Sequence, residues 1–289
     1  MITHFAQRID TAKEERVVES ATNLFLFSFL GSLMLLTIDI GNTNVTLGLY
    51  SGNILGSHWR LSTDHARMPD EYGLQFQGLL DNADHTVKDL KGICLASVVP
   101  QLTGRVIQAC REYLEQDPFV VDVGIKTGVK VRYEDPKAVG ADRIADAVAV
   151  MYLYGGPACV IDFGTATTFN ALTKDGEYLG GAITAGINLA TEALFTHAAK
   201  LPRIDLQRPP SIIGRNTVHA MQSGLLFGYV SMVEGMVERF RKELGPQMKV
   251  IAAGGLAEII AQETDVVQII APWLTLEGLR ILWDLNHPL

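Results

Sequence analysis

A carboxylate followed two residues later by a glycine ends two apolar runs in this chain. The first run ends in Asp39 and Gly41, and the second ends in Asp162 and Gly164. A buried strand that delivers a carboxylate, and then a glycine where the backbone must approach a ligand closely, is typical of a site for phosphate and a cation. The repetition predicts duplicated halves that enclose one nucleotide. Two unrelated strand–turn motifs are the alternative.

Length and charge restrict the classes of function. The 289 residues suffice for two domains of about 120–150 residues each. A net charge of −8 and the lack of a basic run argue against a nonspecific nucleic-acid binder, because nucleic-acid backbones attract clustered Lys and Arg. An acidic protein that binds a polyphosphate must use backbone N–H groups and metal cations.

The cysteines indicate a reducing compartment. Cys94, Cys110 and Cys159 are odd in number, lack C-x-x-C spacing and lie in apolar contexts. We therefore expect reduced core thiols in a cytoplasmic protein.

Residues 1–33 form a separate segment in front of the first apolar strand. It begins polar and then runs apolar from Leu24 to Leu30, like the hydrophobic part of a signal peptide. However, acids and bases are balanced before the run, no small-residue cleavage site follows, and Asp39 lies shortly beyond it. We expect an appendage without stable membrane insertion, explained by an upstream start codon used instead of Met34. An interfacial helix is the alternative.

From residue 34 onward, three strands followed by strand–helix alternation occur twice. This order predicts an α/β fold with two ribonuclease H-like halves, the actin-like ATPase arrangement, from an internal duplication. The predicted halves are 34–155 and 156–289, divided at a Gly-Gly-Pro break. The predicted strands are 35–40, 45–50, 54–61, 92–97, 119–123, 158–163, 167–173, 177–183 and 249–253, and the predicted helices include 69–80, 102–114, 218–240 and 256–262.

Spaced motifs follow one another from Met34 to the C-terminus. They lie at 39–44, 140–143, 162–166, 180–186, 213–217, 221–224 and 254–256. In this order they resemble the motifs of type III pantothenate kinases, with 39–44 and 162–166 similar to the two phosphate motifs of the family and 140–143 to its pantothenate motif. Ala185 stands where the family pattern has proline, which removes no functional group. The resemblance implies a kinase that uses ATP to phosphorylate pantothenate to 4′-phosphopantothenate, the first step of coenzyme A biosynthesis.

Other kinds of function are distinguished by the motifs present. No Gly-x-x-x-x-Gly-Lys-Ser/Thr occurs, which excludes P-loop kinases. Asp-Phe-Gly occurs at 162–164 but without a His-Arg-Asp motif, so the protein-kinase set is absent as well. A non-catalytic regulatory accessory factor is the alternative function, since Bvg accessory factor shares the fold and its motifs. A generic sugar or acetate kinase would not need the 140–143 segment to bind a carboxylate substrate.

The candidate ATP-binding residues surround the repeated motifs. Asp39 would hold Mg²⁺ together with the phosphates, or would only cap a turn. The resemblance places a monovalent cation, K⁺ or NH₄⁺, at Asp162. Gly254 and Gly255 would let adenosine lie against the backbone, or would form a plain tight turn. The other candidates are Gly41, Asn42, Thr43, Asn44, Val45, Thr46 and Thr165.

The candidate base for the substrate hydroxyl is Asp142, at the start of an amphipathic helix, where it could instead complement the helix dipole. Arg143 would bind the pantothenate carboxylate by paired hydrogen bonds. We expect Arg143 to lower the pKa of Asp142, so that Asp142 is ionised at neutral pH. The remaining candidates for pantothenate binding are Gly140, Ala141, Tyr133 and Thr217. The last two could instead serve packing and helix capping.

The resemblance also implies a homodimer with pantothenate near the subunit interface. Helix 218–240 has small and flexible apolar residues along one stripe, which would permit close packing against a second copy. A helix packed wholly inside its own domain is the alternative. The stripe consists of Met221, Leu225, Gly228, Met232, Gly235 and Met236.

Overall fold

The computed structural model describes residues 33–288. The predictions made for the N-terminal segment lie outside these residues. Within the described part of the chain, no helix is long and apolar enough to cross a membrane.

The first sheet has five strands and two helices beside it. The elements are β1 (Met34–Ile40), β2 (Asn44–Ser51), β3 (Ile54–Ser62), α1 (Pro69–Asp81), β4 (Leu90–Ser97), α2 (Pro100–Tyr113) and β5 (Phe119–Val120). β1 pairs antiparallel with β2 and β2 with β3, whereas β4 and β5 continue the sheet in parallel on the other side of β1, giving the order β3-β2-β1-β4-β5. Helices α1 and α2 both begin with proline, whose fixed φ suits the first helical turn.

The second sheet repeats this pattern. Its elements are β6 (Lys130–Val131), α3 (Ala141–Leu153), β7 (Ala158–Phe163), β8 (Ala166–Leu172), β9 (Glu177–Ala185), α4 (Ile187–His197), α5 (Thr217–Leu244), β10 (Lys249–Ala253), α6 (Ala257–Ala261), β11 (Ile269–Ile270) and α7 (Leu274–Asn286). The order is β11-β10-β7-β8-β9-β6. Five of these strands match the first sheet in order and direction, with β7 in the place of β1. The predicted internal duplication is therefore visible in the strand pairing.

Three apolar layers pack against the two sheets, one on each outer face and one between them. Helices α1 and α2 cover the outer face of the first sheet, and α5 and α6 cover the outer face of the second. Helices α3 and α7 lie between the sheets in a central core to which both sheets contribute. All three cysteines are unpaired and buried in these layers, namely Cys94, Cys110 and Cys159.

The two central helices cross at a very short distance. A Cβ added at Gly278 in α7 would lie 2.0 Å from the carbonyl oxygen of Ala145 in α3. Only glycine permits this approach without moving a backbone. Because α3 also carries Asp142 and Arg143, the close crossing fixes the position of these candidate site residues.

Two elements cross the sequence division proposed at residue 155. Strand β6, from the first half of the sequence, pairs in parallel with β9 of the second sheet. Helix α7, at the end of the second half, packs on β1 and β4 of the first sheet. Each half of the sequence therefore contributes an element that packs with the sheet of the other half. The division into 34–155 and 156–289 stays a proposal about the duplicated sequence.

Candidate active site

The two repeated loops meet at one cleft. The loop after β1 and the loop after β7 are joined by a hydrogen bond of 2.6 Å between the hydroxyls of Thr43 and Thr165. The first loop is also braced internally, because the Gly41 N–H donates to the Asn44 carbonyl at 2.9 Å. The Thr63 hydroxyl, at the end of β3, donates to the Gly41 carbonyl at 2.6 Å. The two motifs found in the sequence therefore form opposing sides of one site.

A cavity of about 520 Å³ opens between these loops, a size that suits a nucleotide. Val45 does not line it, since its side chain is fully buried between the first sheet and its outer helices and only its backbone could contact a ligand. The predicted residues that do line the cavity are Asp39, Gly41, Asn42, Thr43, Asn44, Thr46, Asp142, Asp162, Thr165, Gly254 and Gly255.

Four carboxylates converge at this site. Asp39, Asp142 and Asp162 line the cavity, and Asp146 is buried one helical turn after Asp142 on α3. Asp146 Oδ1 accepts a hydrogen bond of 2.8 Å from the Thr275 hydroxyl at the start of α7. Asp146 was not predicted from the sequence, although an acidic residue four positions after Asp142 on an amphipathic helix was an available signal.

Burial makes these acids unusually weak. It raises the pKa of Asp162 to about 7, and the charge of Asp142 adds to this effect. It raises the pKa of Asp39 well above its usual range, with further contributions from Asp142 and Asp162. The pKa of Asp146 is likewise raised, by burial first and then by the charge of Asp162. A group of weak, closely spaced acids favours a bound cation, which would replace the missing counter-charge.

One atom in this group fits the predicted Mg²⁺ site. Asp39 Oδ1 is buried and has no hydrogen-bond partner within residues 33–288. A buried carboxylate oxygen without a partner is costly unless a cation neutralises it, and oxygen ligands suit Mg²⁺. No group of three or more Asp, Glu, His or Cys side chains in this range is arranged around a single metal position.

Asp142 lies in the first turn of α3, whose N-cap residue is Gly140. Its Oδ1 accepts a hydrogen bond of 2.7 Å from the Arg143 N–H, and a Cβ at Gly140 would lie 2.4 Å from that oxygen. Glycine at position 140 therefore leaves room for the carboxylate. Burial raises the pKa of Asp142 by more than Arg143 lowers it. Arg143 therefore does lower the pKa of Asp142, as predicted, but the net shift is upward because burial has the larger effect. The Arg143 guanidinium itself bonds to Asn170.

Arg143 belongs to a second polar cluster beside the cavity. Its Nε donates to Asn170 Oδ1 at 2.8 Å, and the Tyr178 hydroxyl donates to the same oxygen at 2.9 Å. The Arg143 Cζ lies 5.6 Å from the centre of the Tyr178 ring and 5.9 Å from that of Tyr133. The structure therefore brings the predicted Tyr133 and Arg143 together, and adds Asn170 and Tyr178, which the sequence did not reveal. Within residues 33–288 only Nε of the Arg143 guanidinium donates a hydrogen bond, which leaves its terminal nitrogens available to a carboxylate.

Ala141 and Thr217 have less direct positions. Ala141 begins α3 and packs at the edge of the central core. Thr217 is exposed at the start of α5 and does not line the cavity. The capping role considered for Thr217 is wrong, because the cap is Asn216, whose side chain accepts from the His219 N–H at 2.8 Å. Substrate contact by Thr217 stays a prediction.

Other residues complete the cavity without having carried a recognisable motif. Helix α4 begins beside the second loop, where the Gly186 N–H donates to the Thr165 carbonyl at 3.0 Å. The additional polar and aromatic lining residues are Arg60 from β3, Phe163 from β7, Thr168 from β8, Asn188 and Glu192 from α4, and Trp273 and Thr275 at the start of α7.

Comparison with known proteins gives a family and a fold. Residues 35–239 match the family model described as type III pantothenate kinase. The type III pantothenate kinase of Moorella thermoacetica is 50% identical over 253 residues, which cover 88% of this chain and 100% of that relative.

Two solved structures resemble the chain at low sequence identity. A Campylobacter jejuni protein described as belonging to the Baf family of transcriptional activators has a TM-score of 0.56 at 18% identity, over 86% of this chain and 97% of its own. Component A of (R)-2-hydroxyglutaryl-CoA dehydratase from Acidaminococcus fermentans has a TM-score of 0.50 at 14% identity, over 86% and 95%. These similarities concern the fold alone, and the predicted fold class is confirmed.

Proposed function

Because this chain belongs to the type III pantothenate kinase family, we propose that it transfers the γ-phosphoryl group of ATP to the primary hydroxyl of pantothenate. The product is 4′-phosphopantothenate, and the reaction is the first step of coenzyme A biosynthesis. We place the reaction in the cytoplasm, which agrees with three buried, unpaired thiols.

The observation that carries this proposal is the meeting of the two repeated loops across a cavity with acidic walls. Thr43 and Thr165 join the loops, and Asp39, Asp142 and Asp162 line the space between them. Phosphoryl transfer depends on positioning and charge neutralisation more than on covalent chemistry. A cleft closed by two phosphate-type loops supplies the positioning.

At the nucleotide end, backbone N–H groups and hydroxyls of the first loop would bind the terminal phosphates. Asp39 would hold Mg²⁺ through its unpartnered oxygen. The ion, when bound with ATP, neutralises charge on the transferred group. Gly254 has a φ of +85°, and a Cβ there would lie 2.5 Å from Asp162 Oδ1. The Gly254–Gly255 turn thus lies directly against the site, where adenosine would rest on backbone.

At the substrate end, Asp142 would accept the proton of the pantothenate hydroxyl, and Arg143 would bind the pantothenate carboxylate. The two residues are adjacent on α3, yet the Arg143 side chain is directed into the tyrosine cluster. This separation suits a substrate whose hydroxyl and carboxylate lie at opposite ends. Tyr133 would pack beside the bound carboxylate.

The accessory-factor alternative is not favoured. The relative at 50% identity is named as a kinase, whereas the similarity to the Baf family protein is at 18% identity and concerns the fold alone.

A comparison of substrates tests the proposed function. Purified protein should consume ATP rapidly with pantothenate and at background rate with glucose or acetate, because Arg143 is placed for a carboxylate and the site for a primary hydroxyl. Similar rates with all three would indicate a generic kinase. No consumption with any of them would favour a non-catalytic role.

We further propose a monovalent cation, K⁺ or NH₄⁺, at Asp162. This carboxylate is half-buried, desolvation raises its pKa to about 7, and it forms no ion pair within the described residues. Exchanging K⁺ for Na⁺ at constant ionic strength should lower the rate of the wild type and leave Asp162→Ala unaffected. K⁺ should also raise the Tm of the wild type more at pH 8 than at pH 6, because protonated Asp162 does not attract a cation.

Asp175→Asn is the matched control for this exchange, because Asp175 is an exposed acid in the turn between β8 and β9. It should respond to K⁺ like the wild type. Equal wild-type rates in the two salts, or a K⁺-induced Tm shift that persists in Asp162→Ala, would remove the cation from this position.

We also propose a homodimer that pairs through α5. The predicted stripe is only partly available, since Met221 and Leu225 are buried within their own chain. Gly228 is exposed, and a Cβ there meets no atom within 4 Å. Gly228→Glu should therefore leave the monomer folded while placing a charge in the contact, and sedimentation should show the dimer converted to monomer. A second copy is also the route by which exposed Thr217 could reach a substrate.

Gly104→Glu is the matched control, because Gly104 is an exposed helical glycine on α2 with no atom within 4 Å of an added Cβ. It should sediment like the wild type. An active monomeric wild type, or a dimer that survives Gly228→Glu, would contradict the interface.

A further inference from the structure

Arg60 differs in charge from the rest of the cavity wall. It is the one basic side chain among the lining residues, within the part of the chain that the structure describes. The acidic lining residues are Asp39, Asp142, Asp162 and Glu192. Without Arg60, every charged side chain that a triphosphate meets in this space would be negative. An arginine here therefore has a large electrostatic effect on a phosphorylated ligand.

The position of Arg60 is fixed by an aromatic ring. Its Cζ lies 5.4 Å from the centre of the Trp273 ring. His58, two residues earlier on β3, contacts the same ring with centroids 4.3 Å apart and planes inclined at 52°. Residues two apart on a strand share a face, so two side chains on the same face of β3 contact the Trp273 ring. Trp273 in turn precedes α7, whose residues Thr275 and Leu276 also line the cavity.

The guanidinium lies toward the nucleotide end of the site. Arg60 is directly opposite Thr46 on β2, and Thr46 follows the first phosphate loop and lines the cavity. On the other side, a Cβ added at Gly255 would lie 3.2 Å from Arg60 Nη1. Arg60 therefore lies between the first loop and the Gly254–Gly255 turn, in a different position from Arg143 and its tyrosine cluster.

Among the described residues, the guanidinium of Arg60 contacts only an aromatic face. Within residues 33–288 it forms no ion pair and no side-chain hydrogen bond. Its N–H groups are therefore available to a ligand. A planar guanidinium matches the oxygens of phosphate in paired hydrogen bonds and also stacks on aromatic rings, so both properties of arginine are used here.

We propose that Arg60 binds the phosphates of ATP beyond the α-phosphate, and that Trp273 is a positioning residue that holds the guanidinium over the cavity. This inference rests on the proposed kinase function and adds a contact that no motif in the sequence indicated. Arg60 provides this positive charge from β3, a strand that carries neither of the repeated motifs.

Binding of ADP and AMP to the variant Arg60→Met, measured by calorimetry, tests the proposal. Loss of a charged hydrogen bond to phosphate should weaken ADP binding by about 10- to 100-fold and leave AMP binding unchanged. In steady state the KM for ATP should rise while the KM for pantothenate stays constant. Arg60→Lys should recover part of the ADP affinity. The control is Arg111→Met, because Arg111 is an exposed arginine on α2 that forms an ion pair with Asp117. Its affinities for ADP and AMP should match those of the wild type.

The role of Trp273 is tested by a double-mutant cycle. Trp273→Leu should weaken ADP binding in the presence of Arg60 and have little further effect in Arg60→Met, because it acts through the guanidinium. Independent, additive losses would assign Trp273 a separate contact with the nucleotide and overturn its positioning role. Melting temperatures of all variants separate these losses from unfolding.

Four outcomes overturn the assignment of Arg60. Unchanged ADP affinity together with an unchanged KM for ATP in Arg60→Met shows that there is no contact with the β- or γ-phosphate, and equal losses for ADP and AMP place the contact on the α-phosphate or the nucleoside. A rise only in the KM for pantothenate places it on the other substrate. A wild type that binds no ADP overturns the proposed function and this inference together, whereas normal wild-type binding with an unaffected variant overturns this inference alone.

Discussion

The Asp142→Asn enzyme is expected to turn over about 10²- to 10⁴-fold more slowly than the wild type, while it still binds ADP. Asparagine preserves the size of the side chain and the hydrogen bond that Asp142 Oδ1 accepts from the Arg143 N–H. It cannot accept the proton of the substrate hydroxyl. The loss should therefore appear in kcat rather than in nucleotide affinity. In the wild type, kcat/KM should increase with pH, because burial raises the pKa of the base that must be ionised.

Asp175→Asn is the control here as well, since it removes a carboxylate from an exposed turn. Its rate should equal that of the wild type. If Asp142→Asn turns over at a rate close to that of the wild type, the proton goes to another group, and buried Asp146 on the same helix becomes the first candidate to replace.

The second large effect is expected at Asp39, where Asp39→Asn should lose activity and gain stability without ligands. A metal on a transferring phosphoryl group contributes several kcal/mol to transition-state stabilisation, so we expect the rate to fall by at least about 100-fold. Stability should increase because a carboxylate with one buried oxygen that has no partner within residues 33–288 is replaced by a neutral group. Activity and Tm should therefore change in opposite directions.

The stability gain at Asp39 should depend on pH. The pKa of Asp39 is raised in the folded protein, so its contribution to stability is fully present below the pKa of the unfolded chain and is lost as pH rises through the folded value. The Tm difference between Asp39→Asn and wild type should thus grow with increasing pH. Asp81→Asn, an exposed acid on α1, should show no such growth. A Tm lower than that of the wild type at alkaline pH would show that Asp39 already has a neutralising partner.

The sequence predicted the parts of this site that depend on local patterns. Asp39 and Asp162 each end an apolar run, and a strand of that kind needs a sheet neighbour on both sides. The duplicated motif therefore predicted duplicated sheets with their loops at the same edge, and the Thr43–Thr165 hydrogen bond agrees with it. The element boundaries were also close, because alternation and proline positions are local signals.

The parts that the sequence did not reveal depend on packing between distant segments. Asp146 accepts a hydrogen bond from Thr275, and Arg60 contacts the Trp273 ring. Both of these partners lie at the start of α7, near the C-terminus. Nothing in the C-terminal sequence indicates that α7 packs between the sheets and against β1. The pKa of Asp142 was misjudged for the same reason, because a neighbouring charge is visible in the sequence, whereas burial is not.

The most direct test of the central claim is to identify and count the product formed by the purified protein from ATP, Mg²⁺, K⁺ and pantothenate. Mass spectrometry should find 4′-phosphopantothenate, in an amount equal to the ADP released, and ADP release should stop when pantothenate is omitted. ADP accompanied only by free phosphate, or no 4′-phosphopantothenate at any pantothenate concentration, would contradict the assignment of this cleft as a pantothenate kinase site.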